Sequence, residues 1–213
     1  LSPRSPYTTL QIPKQGIGEW CHPLHTVDIN DAGLRSSVQN GILNTELGIP
    51  FRTPAEGHNV AFTSLWDNYP DSLEIPLKGK ASRAYLLMAG STNHMQCHID
   101  NGVIRIYYKD GTRDVMFLRN PDNWPPIEHI FFEDGLAFNR HTPALYRLRL
   151  KTGEISNNFG EELGFPGASR ELDGGAAVLL EMPLNPGKKL SHLVLETLSN
   201  DVVIGLMSIT LQR

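Results

Sequence analysis

Apolar positions along this chain recur mostly with a period of two rather than 3.6. In Ser72-Leu73-Glu74-Ile75-Pro76-Leu77, residues Leu73, Ile75 and Leu77 share a face, which predicts a half-buried strand. Pro76 confines it to an edge or a strand end. Ala84–Ala89 is a short continuous apolar run, expected of a central strand. Tyr146, Leu148 and Leu150 alternate with Arg147 and Arg149, and Ala176–Met182, Leu190–Thr197 and Val202–Leu211 read as three more strands. The runs Met95–Ile99, Val103–Tyr108 and Arg113–Leu118 are separated by Asn101-Gly102 and Asp110-Gly111. Both dipeptides supply the positive φ angles of tight hairpins, so the spacing predicts a three-stranded antiparallel meander. Ile104, Ile106 and Tyr108 should line one face of its middle strand.

No amphipathic helix of three turns is visible. Short strands with turn signals between them predict an all-β fold, a β-sandwich or jelly roll. Two stretches do not read as strands: residues 1–57, rich in Gly, Pro, Asn and Asp, and residues 119–142, with Asn120-Pro121-Asp122-Asn123-Trp124-Pro125-Pro126. The simplest division is a linker over 1–9 and one sandwich domain over 10–213, with an irregular N-terminal arm over about 10–57. Leu1 follows no visible leader core, and the expectation is a piece of a longer chain.

Composition changes this picture little. Charged residues are 20% of the 213, and the formal net charge is -4. Mild acidity offers a phosphate backbone no attraction, which argues against nucleic acid as a partner. No apolar run nears the roughly 20 residues of a membrane-spanning helix, so no membrane span is expected. Cys21 and Cys97 are too few for a disulfide framework. They are expected to be small buried apolar groups, with one disulfide left open.

Candidate chemistry lies in the turn-rich segments. Trp20, Trp66 and Trp124 all sit beside polar, turn-forming residues. An indole covers the C–H face of a sugar while neighbouring carboxylates and amides hold its hydroxyl rim. That chemistry nominates Trp66, Asp67, Asn68 and Tyr69, with Asp122, Asn123 and Trp124, as a glycan site; the alternative for each tryptophan is a structural plug. The loop acids Asp67, Asp71, Asp122, Glu128, Glu133 and Asp134 sit in no recognisable hydrolase signature and are expected to be solvated or to cap turns. His22-Pro23-Leu24-His25 lacks a third ligand, and His94, Gln96 and His98 should share a solvated strand face. No cofactor is expected, although loop oxygens are compatible with a structural calcium ion. Gly-x-Ser-x-Gly, phosphate-loop and dinucleotide motifs are absent.

Three strings carry a resemblance: Leu86-Leu87-Met88-Ala89-Gly90-Ser91-Thr92-Asn93; Tyr108-Lys109-Asp110-Gly111-Thr112; and Leu118-Arg119-Asn120-Pro121-Asp122-Asn123-Trp124. With Gly48-Ile49-Pro50-Phe51, Ser64–Pro70 and the tail Asp201–Leu211, the chain resembles the C-terminal β-domain of a bacterial family of secreted or periplasmic proteins. The main body of those proteins resembles six-hairpin toroid glycosidases. The resemblance implies a galactose-binding-type jelly roll, an extracytoplasmic location and a place in a glycan-degrading system; it supplies no ligand residues. The leading expectation is therefore a non-catalytic carbohydrate-binding or accessory module with a glycan or oligosaccharide as partner. The runner-up is a structural domain packed against an upstream glycoside-hydrolase-like catalytic domain of the same chain. A hydrolase in its own right ranks third.

Overall fold

In the computed structural model, residues 3–11, 28–65, 68–92, 96–131, 139–158 and 169–213 are described. The described residues are nearly all-β, 48% strand and 3% helix. In chain order the elements are β1 (Tyr7–Thr8), α1 (Ala32–Ser36), β2 (Val38–Gln39), β3 (Ile42–Asn44), β4 (Pro50–Arg52), β5 (Val60–Thr63), β6 (Ser72–Pro76), β7 (Arg83–Thr92) and β8 (Gly102–Tyr108). Then follow β9 (Arg113–Leu118), β10 (His129–Phe131), β11 (Tyr146–Arg149), β12 (Ile155–Ser156), β13 (Ser169–Glu171), β14 (Ala176–Pro183), β15 (Leu190–Thr197) and β16 (Val202–Gln212).

Two antiparallel sheets form the sandwich. The larger runs β1-β5-β16-β7-β14-β11-β12 and the smaller β6-β15-β8-β9. Between them lies a core of Leu86, Met88, Val178, Leu180, Val202 and Ile204 from the first sheet and Ile104, Ile106, Leu193 and Leu195 from the second. Ile104, Ile106 and Tyr108 do share the inward face, and β6, with Pro76, is an edge strand.

Parity explains the continuous apolar runs. Leu87, Ala89, Ala177, Leu179 and Val203 point away from that core into a second one, completed by Leu10, Ile29, Leu34, Leu43 and Phe51. The central strands are thus buried on both faces, and their sequence loses the alternation of a half-buried strand. Where a strand carries a bulge, parity flips. On β16, Ile204 and Leu206 precede a register shift between Leu206 and Ser208, after which Ile209 and Leu211 pack on the same core.

The second core corrects the picture of an irregular arm. Residues 38–52 form a third sheet, β2-β3-β4. Its first turn is Asn40-Gly41, with φ of 53° and 75°; positive φ at both central residues is the backbone of a tight type I′ hairpin. Ser208 Oγ donates to Arg52 O at 2.9 Å, tying the meander to β16. Tyr7 and Thr8, in the stretch expected to be a linker, pair with Ala61 and Val60. Within 119–142, residues 129–131 form a strand paired with 169–171.

The meander expected around Asn101-Gly102 also needs correction. β8 and β9 are joined as expected through Asp110-Gly111, with Gly111 at φ 84°. The other neighbour of β8, however, is β15. His98 has a φ of 54°, which interrupts any strand there. Asn101 is fully buried. Its Nδ2 donates to Gln96 O and Ile99 O, both at 3.3 Å, and its Oδ1 accepts from Thr92 Oγ1 at 3.0 Å. Gly102 lies inside β8 because a Cβ there would come within 2.1 Å of Ile204 Cδ1 and 2.9 Å of Glu196 O. Close packing, not turn geometry, demands this glycine. Gly102→Ala should cost about 1–3 kcal/mol as an overpacked core position. Part of that loss should return in an Ile204→Val background, which removes Cδ1. Denaturant titrations of the four-member cycle check this; strict additivity would refute the steric account.

Candidate functional site

Among the described residues, the nominated set does not come together in one site. Trp66 and Asp67 lie outside the described residues. Tyr69 is 8% exposed and belongs to the second core, 5.5 Å from the Phe62 ring with the Arg4 guanidinium over it at 5.5 Å. Trp124 belongs to the other core and is completely buried. Its indole lies against β7, where a Cβ on Gly90 would come within 2.7 Å of Trp124 Cζ2. Neither ring can present a face to a sugar, and the larger sheet separates the two cores. Asn68 is exposed at φ 59°, and its carbonyl accepts from Arg4 N at 2.8 Å.

Asp122 and Asn123 sit at one loop end of the sandwich. Asn123 Oδ1 accepts from Arg119 N at 2.8 Å, and its Nδ2 donates to Phe117 O at 2.9 Å. The amide therefore fixes the end of β9. That strand end presents Phe117, 42% exposed, with the Arg119 guanidinium 5.6 Å from its ring. Arg119 Nε reaches Asp100 Oδ1 at 2.6 Å. Across the outer face of the smaller sheet, Phe117 registers with Val103 and then Glu196, and Val115 with Arg105 and then Val194. Arg105 and Glu196 pair as ions. The Tyr107 and His192 rings stack at 4.6 Å with 12° between planes, and Arg113 lies 5.7 Å from Tyr107. The aromatic on this face is a phenylalanine on a strand rather than a tryptophan in a loop, so no turn-rich segment marks it in the sequence.

Beside it, Asp122 draws in two imidazoles. His141 Nδ1 lies 3.3 Å from Asp122 Oδ1, and His98 Nδ1 lies 3.9 Å from Oδ2. The rings are 4.8 Å apart between centroids. Backbone bonds hold the arrangement: His141 N donates to Asp122 Oδ1 at 2.7 Å, and Thr142 Oγ1 donates to Asp122 O at 2.6 Å. Cys97 and Asn120 form a parallel bridge that brings the His98 and Asp122 loops together. No family model, curated protein or solved structure matches the chain.

Other expectations need revision here. His98 does not continue a solvated strand face with Gln96, and His94 lies outside the described residues. Cys97 is half-buried rather than buried, accepting from Asn120 Nδ2 at 3.5 Å; Cys21 lies outside the described residues. Glu128 is fully buried, neither solvated nor capping a turn. Ser91 Oγ lies 3.4 Å from its Oε1. Asp67, Glu133, Asp134, His22, His25 and Trp20 also lie outside the described residues.

Proposed function

We propose that this chain is a non-catalytic accessory module that recognises a glycan on the outer face of the β6-β15-β8-β9 sheet, at the corner around Phe117. The observation behind this reading is Phe117 itself: an exposed ring on a strand end fixed by Asn123, flanked by the Arg119–Asp100 pair. An apolar ring beside fixed donors and acceptors suits a ligand with a C–H face and a hydroxyl rim. Charged groups interleave the face, with Arg105 and Glu196 near its middle. Protein–protein interfaces are depleted of charge at their centres, which favours a polyhydroxylated ligand. The reading agrees with the secreted or periplasmic glycan-degrading system that the sequence resemblance implies.

Affinity electrophoresis against a panel of plant and host polysaccharides tests it. The wild-type chain should be retarded by at least one. Phe117→Ala should weaken binding by roughly 5- to 150-fold, the equivalent of 1–3 kcal/mol of apolar contact, while stability stays within about 1 kcal/mol. A wild type retarded by no polysaccharide would overturn the reading.

A second reading is favoured by the aliphatic part of the same face. Val115 is 42% exposed and adjoins Arg105 and Val194. Domain interfaces within a chain are modest in area and mixed in polarity, so the face also suits docking onto a glycoside-hydrolase-like domain. A chain silent on glycans whose Val115→Glu variant loses a complex with such a domain would establish this instead.

A further inference from the structure

We propose that His98, Asp122 and His141 form a binding site for a single divalent transition-metal ion of the Zn²⁺ class. The three residues each offer one donor atom, and these atoms all lie within 4.8 Å of one another. Zinc–ligand bonds of about 2.0–2.1 Å in a tetrahedron set donor–donor spacings of roughly 3.3 Å. The His141 Nδ1 to Asp122 Oδ1 distance is already 3.3 Å. His98 Nδ1 lies 3.9 Å from the other carboxylate oxygen, Oδ2, and with the three donors spread over as much as 4.8 Å the cluster must close by up to about 1.5 Å to reach tetrahedral spacing. The His98 side chain is 30% exposed and that of His141 63%, so solvent reaches both rings.

The donor set selects the ion. Two imidazoles and one carboxylate suit Zn²⁺, Fe²⁺, Co²⁺ or Ni²⁺. Calcium takes oxygen ligands, so this cluster is not the structural calcium site that loop oxygens suggested. Two imidazoles with one carboxylate leave at least one coordination position for water or a ligand oxygen. The three donors come from three loop segments, around residues 98, 122 and 141. A bound ion would fasten them together at the loop end, independently of any sugar on the neighbouring sheet face.

The test uses the purified chain freed of metal by chelation. Co²⁺ is titrated in while its visible absorption is followed, and Zn²⁺ is then added as competitor. The wild type should take up Co²⁺ with the intense bands of a low-symmetry site, release it to Zn²⁺, and melt at higher temperature when either ion is present in excess. His141→Ala should weaken uptake at least tenfold. So should His98→Asn, which tolerates left-handed backbone. His58→Ala, exposed and outside the cluster, should leave uptake unchanged. Circular dichroism of each variant shows that it is folded. No uptake by the wild type would overturn the site, as would uptake unaffected by both cluster variants. Displacement of Co²⁺ by Ca²⁺ at equal concentration would overturn the assignment to a transition ion.

Discussion

Trp124→Ala should destabilise the fold by about 3–5 kcal/mol, the cost of emptying a large aromatic site in a packed core. For a chain of this length that is a fall in Tm of roughly 6–20 °C. The residue is fully buried in the core between the two main sheets. Gly90 is required beneath it, because a side chain there would strike both the indole and Val203 O. The indole Nε1 has no acceptor among the described residues, so the loss is one of apolar packing rather than hydrogen bonding. Trp124→Phe, which keeps most of that packing, should lose much less. Chemical denaturation followed by circular dichroism measures both variants. A Trp124→Ala chain within 1 kcal/mol of wild type would mean that the indole is not a core element.

Arg147 should prove as sensitive. It alternates with Tyr146 and Leu148 on β11 and is 7% exposed. Nη1 donates to His129 O at 2.6 Å, and Nη2 donates to Pro126 O at 2.7 Å and Ala176 O at 3.2 Å. One guanidinium thus stitches the 126–129 segment to the edge where β11 meets β14. Burial pulls its pKa down to about 10, and the buried Glu128 opposes the shift, so it remains charged at neutral pH. Arg147→Met should cost about 3–5 kcal/mol, because it removes the charged donor to the His129, Pro126 and Ala176 carbonyls and a positive charge near the buried Glu128. Arg147→Lys should rescue only part of this: an ammonium cannot span the same fork of acceptors. Equal stability of wild type and Arg147→Met in a urea titration would refute the stitching role.

The fold was legible where one physical signal dominated. Alternation placed β6 and β8, and unbroken apolar runs placed β7, β14 and β16, because burial on one face or on both writes directly into residue type. Turn dipeptides were less dependable. Asn40-Gly41 is a true hairpin turn, but it sits in a stretch whose Gly, Asn and Asp content masked its short strands. Asn101-Gly102 has the same letters and a different cause, a buried amide hub followed by a glycine that a neighbouring isoleucine requires. The site was harder to see. His98, Asp122 and His141 come from separate loops joined by one bridge, and no local spacing encodes that meeting. Trp124 misled for a related reason: polar, turn-forming neighbours in sequence do not report which way a side chain points.

The position of β16 has a consequence for how the molecule is made. It is the last strand in chain order, yet it lies between β5 and β7 inside the larger sheet. While a ribosome is still building the chain, β5 and β1 have no edge to join, and the second core lacks one wall. The N-terminal meander must wait, its apolar side uncovered, until β16 emerges. Such long-range pairing slows folding and prolongs exposure to aggregation. Assembly of this sandwich is therefore gated by β16, a strand far downstream in sequence of the β5 strand it pairs with.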